Sequence, residues 1–276
     1  MKKTILLTGT STGLGHTATK LLAQNDWNVI ATMRHPEAEK ELAAFENVLV
    51  TRLDVQDKQS IRHAIDAGIA RFGRIDVLVN NAGFGLFGVF EATPPEKIQE
   101  QFHVNVFGVM DVTRAILPHF RANKSGIIIN VSSGAGVFAL PMISLYCASK
   151  FALEGFSESL SYELASQNII VKIVEPGGVV STNFGKRSGA EAAQNHSIPD
   201  YDSFITATNA IFSKLRATRV ATEDDVAQVL WTAATDGTHQ LRYVATKDIL
   251  PLVKARRESS EHDYITLMRS QFLSKP

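Results

Sequence analysis

Tyr146 and Lys150 stand four residues apart in Tyr146-Cys147-Ala148-Ser149-Lys150, so on a helix they share one face. That spacing suits proton exchange. A tyrosine with an ordinary pKa of about 10 exchanges protons poorly near neutrality, and an adjacent ammonium lowers that value by stabilising phenolate. A tenfold gain in acidity takes about 1.36 kcal/mol, within reach of a close, partly desolvated charge pair. A second chemistry-bearing stretch is Thr8-Gly9-Thr10-Ser11-Thr12-Gly13-Leu14-Gly15. Its spacing is G-x-x-x-G-x-G rather than G-x-G-x-x-G, but the logic is unchanged. Glycines allow a tight turn and close backbone approach, and a following helix N-terminus offers unpaired N–H groups and a positive dipole to a pyrophosphate. Ser11 and Thr12 add hydroxyl donors. Taken singly, the first motif also reads as a surface helix pair and the second as a plain βα turn.

Arg34 sharpens the second reading. Dinucleotide folds that prefer NAD place an acid about 20 residues beyond the glycine turn, on the ribose 2′-OH. Here the second strand ends Ala31-Thr32-Met33-Arg34, with no acid until Glu37, past Pro36. A guanidinium pairs with a 2′-phosphate where a carboxylate would repel it, so NADP(H) is expected over NAD(H). A solvated surface arginine is the alternative.

These residues need elements to hold them. Short apolar runs at Thr4–Thr8, Val29–Met33, Val48–Leu53, Ile75–Val79, Ile127–Val131 and Ile169–Val174 alternate with helix-patterned segments such as Ser60–Phe72, the rhythm of parallel βαβ units. The runs are apolar on both faces, as a sheet between two helix layers requires. The expected fold is therefore α/β, a doubly wound parallel sheet of Rossmann-like type. Asn80-Asn81-Ala82-Gly83, Ser132-Ser133-Gly134 and the Tyr146 helix all follow strand ends, where such folds assemble their sites. No linker divides residues 1–276, so one domain is expected. Residues 179–219 carry no strand signal but do carry scattered aromatics (Phe184, Tyr201, Phe204, Phe212), and read as a substrate lid. Thr222–Ala234 reads as a helix, Arg242–Val244 as a last strand, and 248–276 as a C-terminal helical extension.

In order and spacing, Thr8-Gly9-x-x-x-Gly13-x-Gly15, Asn80-Asn81-Ala82-Gly83, Asn105, Ser133, Tyr146-x-x-x-Lys150 and Pro176-Gly177 resemble the short-chain dehydrogenase/reductase superfamily. The match is close over about residues 3–180 and holds only in outline beyond. The resemblance implies that Tyr146 is the general acid/base, that Lys150 lowers its pKa and binds the nicotinamide ribose, that Ser133 polarises the substrate carbonyl, and that Asn105 holds a water in the proton relay. Ser133 is preferred to Ser132 because it lies thirteen residues before Tyr146. Cofactor contacts are implied at Gly9, Ser11, Thr12, Gly13, Leu14, Gly15, Arg34, Asp54, Val55, Asn81, Ala82, Gly83, Tyr146, Lys150, Pro176, Gly177, Val179 and Thr182. Ser181 competes with Thr182 for the nicotinamide amide, and Asp54 could equally be a turn or capping residue. Ala31-Thr32-Met33-Arg34 is similar to the strand end of hydroxysteroid- and retinol-dehydrogenase-like members, which prefer NADP(H). The implied reaction is hydride transfer between NADPH and a ketone or aldehyde, or the reverse from an alcohol.

Composition excludes several other functions. With 28 Lys plus Arg against 28 Asp plus Glu, no net field would hold nucleic acid or an anionic membrane. Cys147 is the only cysteine, which excludes an intrachain disulfide and any multi-thiolate metal site. The eight histidines show no metal-ligand spacing, so no metal is expected. The run Ile5-Leu6-Leu7 is too short for a signal peptide, and no stretch approaches a membrane span. A cytoplasmic protein is expected. Phe84, Leu86, Phe87, Phe138, Leu140 and Met142 follow strand ends and read either as core or as the lining of an apolar pocket, in which case the substrate is a small apolar carbonyl or alcohol. The apolar excess along Phe151, Leu153, Phe156, Leu160 and Leu164 is compatible with a homodimer or homotetramer. A silent NADPH-binding regulator is the competing function, disfavoured because Tyr146 and Lys150 are both present.

Overall fold

The computed structural model describes residues 2–179, 188–189, 192 and 196–273. Seven strands form one sheet in the order β3-β2-β1-β4-β5-β6-β7: β1 (Thr4–Thr8), β2 (Asn28–Met33), β3 (Val48–Arg52), β4 (Val77–Asn80), β5 (Gly126–Val131), β6 (Ile169–Glu175) and β7 (Arg242–Val244). Every pairing is parallel. The order reverses direction between β1 and β4, which opens a crevice at their C-terminal ends.

Central strands are apolar on both faces because both faces are covered. Leu6, Ile30, Leu78 and Ile128 pack into one layer with Ile61, Ile65, Ile116 and Phe120, from α2 (Lys58–Phe72) and α4 (Val109–Ala122). Ile5, Leu7, Val29 and Val79 pack into the other with Leu22 and Leu230, from α1 (Gly13–Gln24) and α7 (Glu223–Thr235). Between α2 and α4 lie β4 and α3 (Pro95–Phe102), which runs into a π-turn at His103–Gly108. α5 (Ser144–Ala165) connects β5 to β6.

Strand boundaries fall within two residues of expectation. The largest difference is at β4: Ile75 is buried but precedes the strand, with its N–H given to His119 Nε2 at 3.0 Å. The backbone N–H of Asp76 and its carboxylate both bond to Thr4 at 2.8 Å.

In the region expected as a lid, the described part holds α6 (Asp202–Ala217). Its Phe204, Ile205 and Phe212 pack with Phe138 and Met142 on one side and with Val253, Tyr264, Met268 and Phe272 on the other. These last come from α8 (Leu250–Glu258) and α9 (Glu261–Phe272), so the lid residues and the extension share one small apolar core. Two bonds strap this region to the loop after β4: Tyr201 Oη donates to Glu91 Oε2 at 3.0 Å, and His196 N donates to Ala92 O at 3.0 Å.

Candidate active site

The glycine turn leaves β1 at the crevice. Gly9 has φ +72°, and a Cβ on it would lie 2.9 Å from Ala82 Cα. Gly15 has no such conformation, but a Cβ there would lie 2.3 Å from Gly9 O and 2.6 Å from Asn81 Nδ2. The first turn of α1 therefore touches the loop it follows, and only glycine permits it. Thr12 occupies the N-cap position without a side-chain cap bond, and Ser11 and Thr12 are both exposed. The turn is a backbone cradle that side chains do not fill, and a dinucleotide diphosphate fits such a donor set.

Asn81 does more here than the sequence suggests. Its Nδ2 donates to Thr8 O at 2.9 Å and Gly9 O at 3.0 Å, while Thr8 Oγ1 accepts from the Asn81 and Ala82 N–H groups at 3.0 Å each. The ends of β1 and β4 are thus locked together. Arg34, at the end of β2, is exposed and makes no ion pair with a described residue. Asp54 is a turn residue in the structure: its Oδ1 accepts the Gln56 N–H at 3.0 Å, and Asp57 is the residue that caps α2. Val55 is buried beside the π-turn, and Val179 packs on the layer containing Val226. Ser181 and Thr182 lie outside the described residues.

Ser133 follows β5 and caps a short 3₁₀ turn, Oγ accepting from Ala135 N at 3.1 Å. Tyr146, half-buried near the start of α5, shares a side-chain hydrogen bond with Ser133. One turn on, buried Lys150 donates from Nζ to Val131 O at 2.8 Å, with Nζ 5.8 Å from the Tyr146 ring centroid. Gly83 approaches closely enough that a Cβ on it would lie 3.8 Å from Lys150 Nζ and 3.2 Å from Asn105 Oδ1. The four expected catalytic residues and the Asn81-Ala82-Gly83 turn therefore meet at the C-terminal ends of β4 and β5.

Electrostatically the pair differs from expectation. Burial pushes Tyr146 up to about 12, against the lowering pull of the Ser133 hydrogen bond. Burial likewise brings Lys150 down to about 8, against the pull of Glu154. For the protein by itself the direction at Tyr146 is therefore upward, with burial as its largest cause. Asn105 is tied into the chain around the same site. Its Oδ1 accepts the Phe84 N–H at 3.1 Å, and its Nδ2 donates to Phe84 O at 2.8 Å and Ser149 Oγ at 3.1 Å. Its carboxamide braces the chain between Phe84 and Ser149. Ser149, which also donates to Tyr146 O at 2.8 Å, escaped the sequence reading although it stands inside the Tyr-Lys motif.

The structure brings together a tyrosine, a serine hydroxyl, a buried lysine and a glycine turn with open backbone donors at the C-terminal ends of the central strands. A match to the short chain dehydrogenase family model spans residues 3–193. The chain belongs to the short-chain dehydrogenase family. An uncharacterized oxidoreductase of Schizosaccharomyces pombe is 37% identical over 240 residues, covering 87% of this chain and 99% of the relative. Human 17-beta-hydroxysteroid dehydrogenase type 1 is 32% identical over 284 residues, covering 97% and 85%. Among solved structures, ElxO with NADP bound superposes with a TM-score of 0.72 at 28% identity, covering 89% and 98%. As a short-chain dehydrogenase, the chain is an oxidoreductase.

Remaining candidates in this dehydrogenase resolve by burial. Cys147 is buried, and burial raises its thiol pKa, which keeps it unreactive. Phe84, Leu86 and Phe138 are core. Met142 and Phe204 line an open cleft of about 450 Å³ with Gly88, Phe90, Ser144 and Tyr201, so the expected apolar set divides between core and cleft. Among the described residues no cluster of metal-ligating groups occurs, and no helix is long and apolar enough to cross a membrane.

Proposed function

We propose that the chain is an NADP(H)-dependent reductase of apolar ketones or aldehydes, or the corresponding alcohol dehydrogenase. The observation that carries this reading is the meeting of Ser133, Tyr146, Asn105 and buried Lys150 at the C-terminal ends of β4 and β5. When bound, the nicotinamide supplies the hydride. Ser133 and Tyr146 hold the substrate oxygen from two donors. Tyr146, protonated throughout the neutral range at a pKa of about 12, keeps its proton until the alkoxide forms and then delivers it to that oxygen. The N–H groups of the Gly9–Gly15 turn would hold the cofactor's diphosphate, and Arg34 would pair with its 2′-phosphate.

Support for NADP(H) is the exposed guanidinium where an NAD-preferring fold has an acid, together with the NADP present in ElxO. An apolar substrate is supported by the Met142–Phe204 cleft, which starts two residues from Tyr146, and by the likeness to a hydroxysteroid dehydrogenase. Residues 1–276 act as one domain, 179–219 as lid and 248–276 as extension. Exposed Phe107, Phe151 and Tyr162 supply a surface for self-association. The test follows NADPH absorbance across a panel of steroid, retinoid, aromatic and fatty carbonyls, with Tyr146→Phe as control. NADPH that binds stoichiometrically and is consumed with none of them refutes the enzyme in favour of a regulator.

A further inference from the structure

Behind Lys150 lies an ionic cluster, with Glu154 and Glu175 as its buried members, that the reaction as described does not use. Lys150 is 6% exposed, and no carboxylate of a described residue lies within ion-pair distance of it. A buried ammonium bonded to a neutral carbonyl needs negative charge close by to stay charged. Glu154, also 6% exposed, is one helical turn further along the same face of α5. The two are held against the 3₁₀ turn after Ser133. A Cβ on Gly136 would lie 3.0 Å from Glu154 Cγ, 3.1 Å from Lys150 O and 2.7 Å from Ser132 Oγ.

Glu154 Oε2 accepts from Arg242 Nε at 3.0 Å, while its Oε1 is buried without a hydrogen-bond partner. Arg242, on β7, divides itself among three acids, reaching Glu158 at 2.5 Å and Glu175 at 3.6 Å as well. Arg257, on α8, binds fully buried Glu175 at 2.5 Å. Burial and neighbouring Glu154 push Glu175 up, against its two arginines. Three carboxylates thus face two guanidiniums. Glu158 is exposed to solvent, so the buried acids are Glu154 and Glu175, and Glu154 Oε1 is left unbonded one helical turn from Lys150 on the same face of α5.

We propose that Glu154 is a positioning residue for the catalytic lysine: its buried carboxylate supplies the charge that keeps Lys150 an ammonium, and Arg242 meters that charge from the C-terminal strand. The inference rests on the reading of Lys150 as partner of Tyr146. Its consequence is that the working pH range is set by residues that touch neither substrate nor cofactor.

The test is an NMR titration of the full chain with labelled lysine between about pH 5 and 11, the Lys150 signal being assigned by its loss in Lys150→Met. Wild type should show a midpoint near 8. Glu154→Gln should lower it by about one pH unit, Glu154→Asp should restore it, and Arg242→Gln should raise it. Glu158→Gln removes the same charge from an exposed position, where solvent screens it, and should move the midpoint by less than about 0.3 pH units. If Glu154→Gln does not fold, Arg242→Gln carries the test. An unmoved midpoint in the folded Glu154 and Arg242 variants, or equal displacements from Glu154→Gln and Glu158→Gln, overturns the proposal. Failure of the reductase reading shows elsewhere, as wild-type protein that consumes no NADPH.

Discussion

Replacing Gly15 by alanine tests whether the glycine turn is a preformed cradle. The added Cβ would fall 2.3 Å from Gly9 O and 2.6 Å from Asn81 Nδ2, about 1 Å short of ordinary contact. Neither neighbour can retreat cheaply, since one is backbone at positive φ and the other donates to Thr8 O and Gly9 O. Overpacking costs about 1–3 kcal/mol, and losing the two Asn81 bonds costs about 1 kcal/mol each, so a loss of about 3–5 kcal/mol is expected. If the shifted turn also loses one charge-assisted bond to the diphosphate, about 2 kcal/mol, NADPH should bind about 30-fold more weakly. Gly73→Ala is the matched control. Gly73 ends α2 at φ +85° with nothing within 4 Å of a Cβ, so it isolates the conformational cost of about 1–2 kcal/mol and should leave NADPH affinity unchanged. Urea unfolding gives the stabilities and NADPH fluorescence the dissociation constants. Gly15→Ala that binds NADPH within threefold of wild type, or loses no more stability than Gly73→Ala, refutes the close-packed cradle.

Tyr146→Phe should leave NADPH binding within about threefold and lower kcat at least about 100-fold; near-normal kcat removes Tyr146 from the proton step. Arg34→Asp should weaken NADPH far more than NADH, measured as the ratio of their dissociation constants, and equal losses defeat the 2′-phosphate assignment. At the β6–β7 edge of the sheet, Asp236 bonds Lys172 and Tyr243. Burial pushes the Asp236 carboxyl up, but hydrogen bonds from Lys172, Tyr243 and Thr238 together hold it well below the ordinary range. Its contribution to stability is therefore fully present above the unfolded value of about 3.9 and is lost as pH falls below it. Asp236→Asn leaves the Lys172 ammonium buried without its anion, which should cost about 3 kcal/mol at pH 7. The deficit should shrink in urea titrations toward pH 2, and a deficit independent of pH contradicts the ion-pair account.

The sheet was legible because its strands are apolar on both faces, a pattern that Ile127-Ile128-Ile129 carries without help from any partner. The catalytic side chains were legible as spacing, since one helical turn brings Tyr146 and Lys150 to one face. Their pKa directions were not, because spacing reports proximity while burial of both groups decides the sign. Asn105 shows the same division: its position in the site could be read, but the bonds to Phe84 and Ser149 depend on a π-turn that shares its local pattern with an α-helix. Lys172 and Glu175 are charged residues in an otherwise apolar strand, β6. The partners that explain them, Asp236 and Arg257, lie 64 and 82 residues away, beyond the reach of any local pattern.

Those distant partners give the C-terminal part of the chain a second task besides completing the small apolar core around α6. Thr246 Oγ1 accepts the Gly177 N–H at 2.9 Å, and Asp248 Oδ2 accepts the Gly178 N–H at 3.1 Å, so the segment after β7 pins the Pro176-Gly177-Gly178 turn from outside. From inside, Arg242 and Arg257 bind the carboxylates behind Lys150. Side chains on both arms converge on the ends of β5 and β6, where a displacement of about 1 Å is enough to cost a reaction about 100-fold. Substitutions that loosen α8 or β7 should accordingly depress turnover before they depress cofactor binding, because the cradle for the diphosphate rests on β1, β4 and α1 and shares none of these contacts.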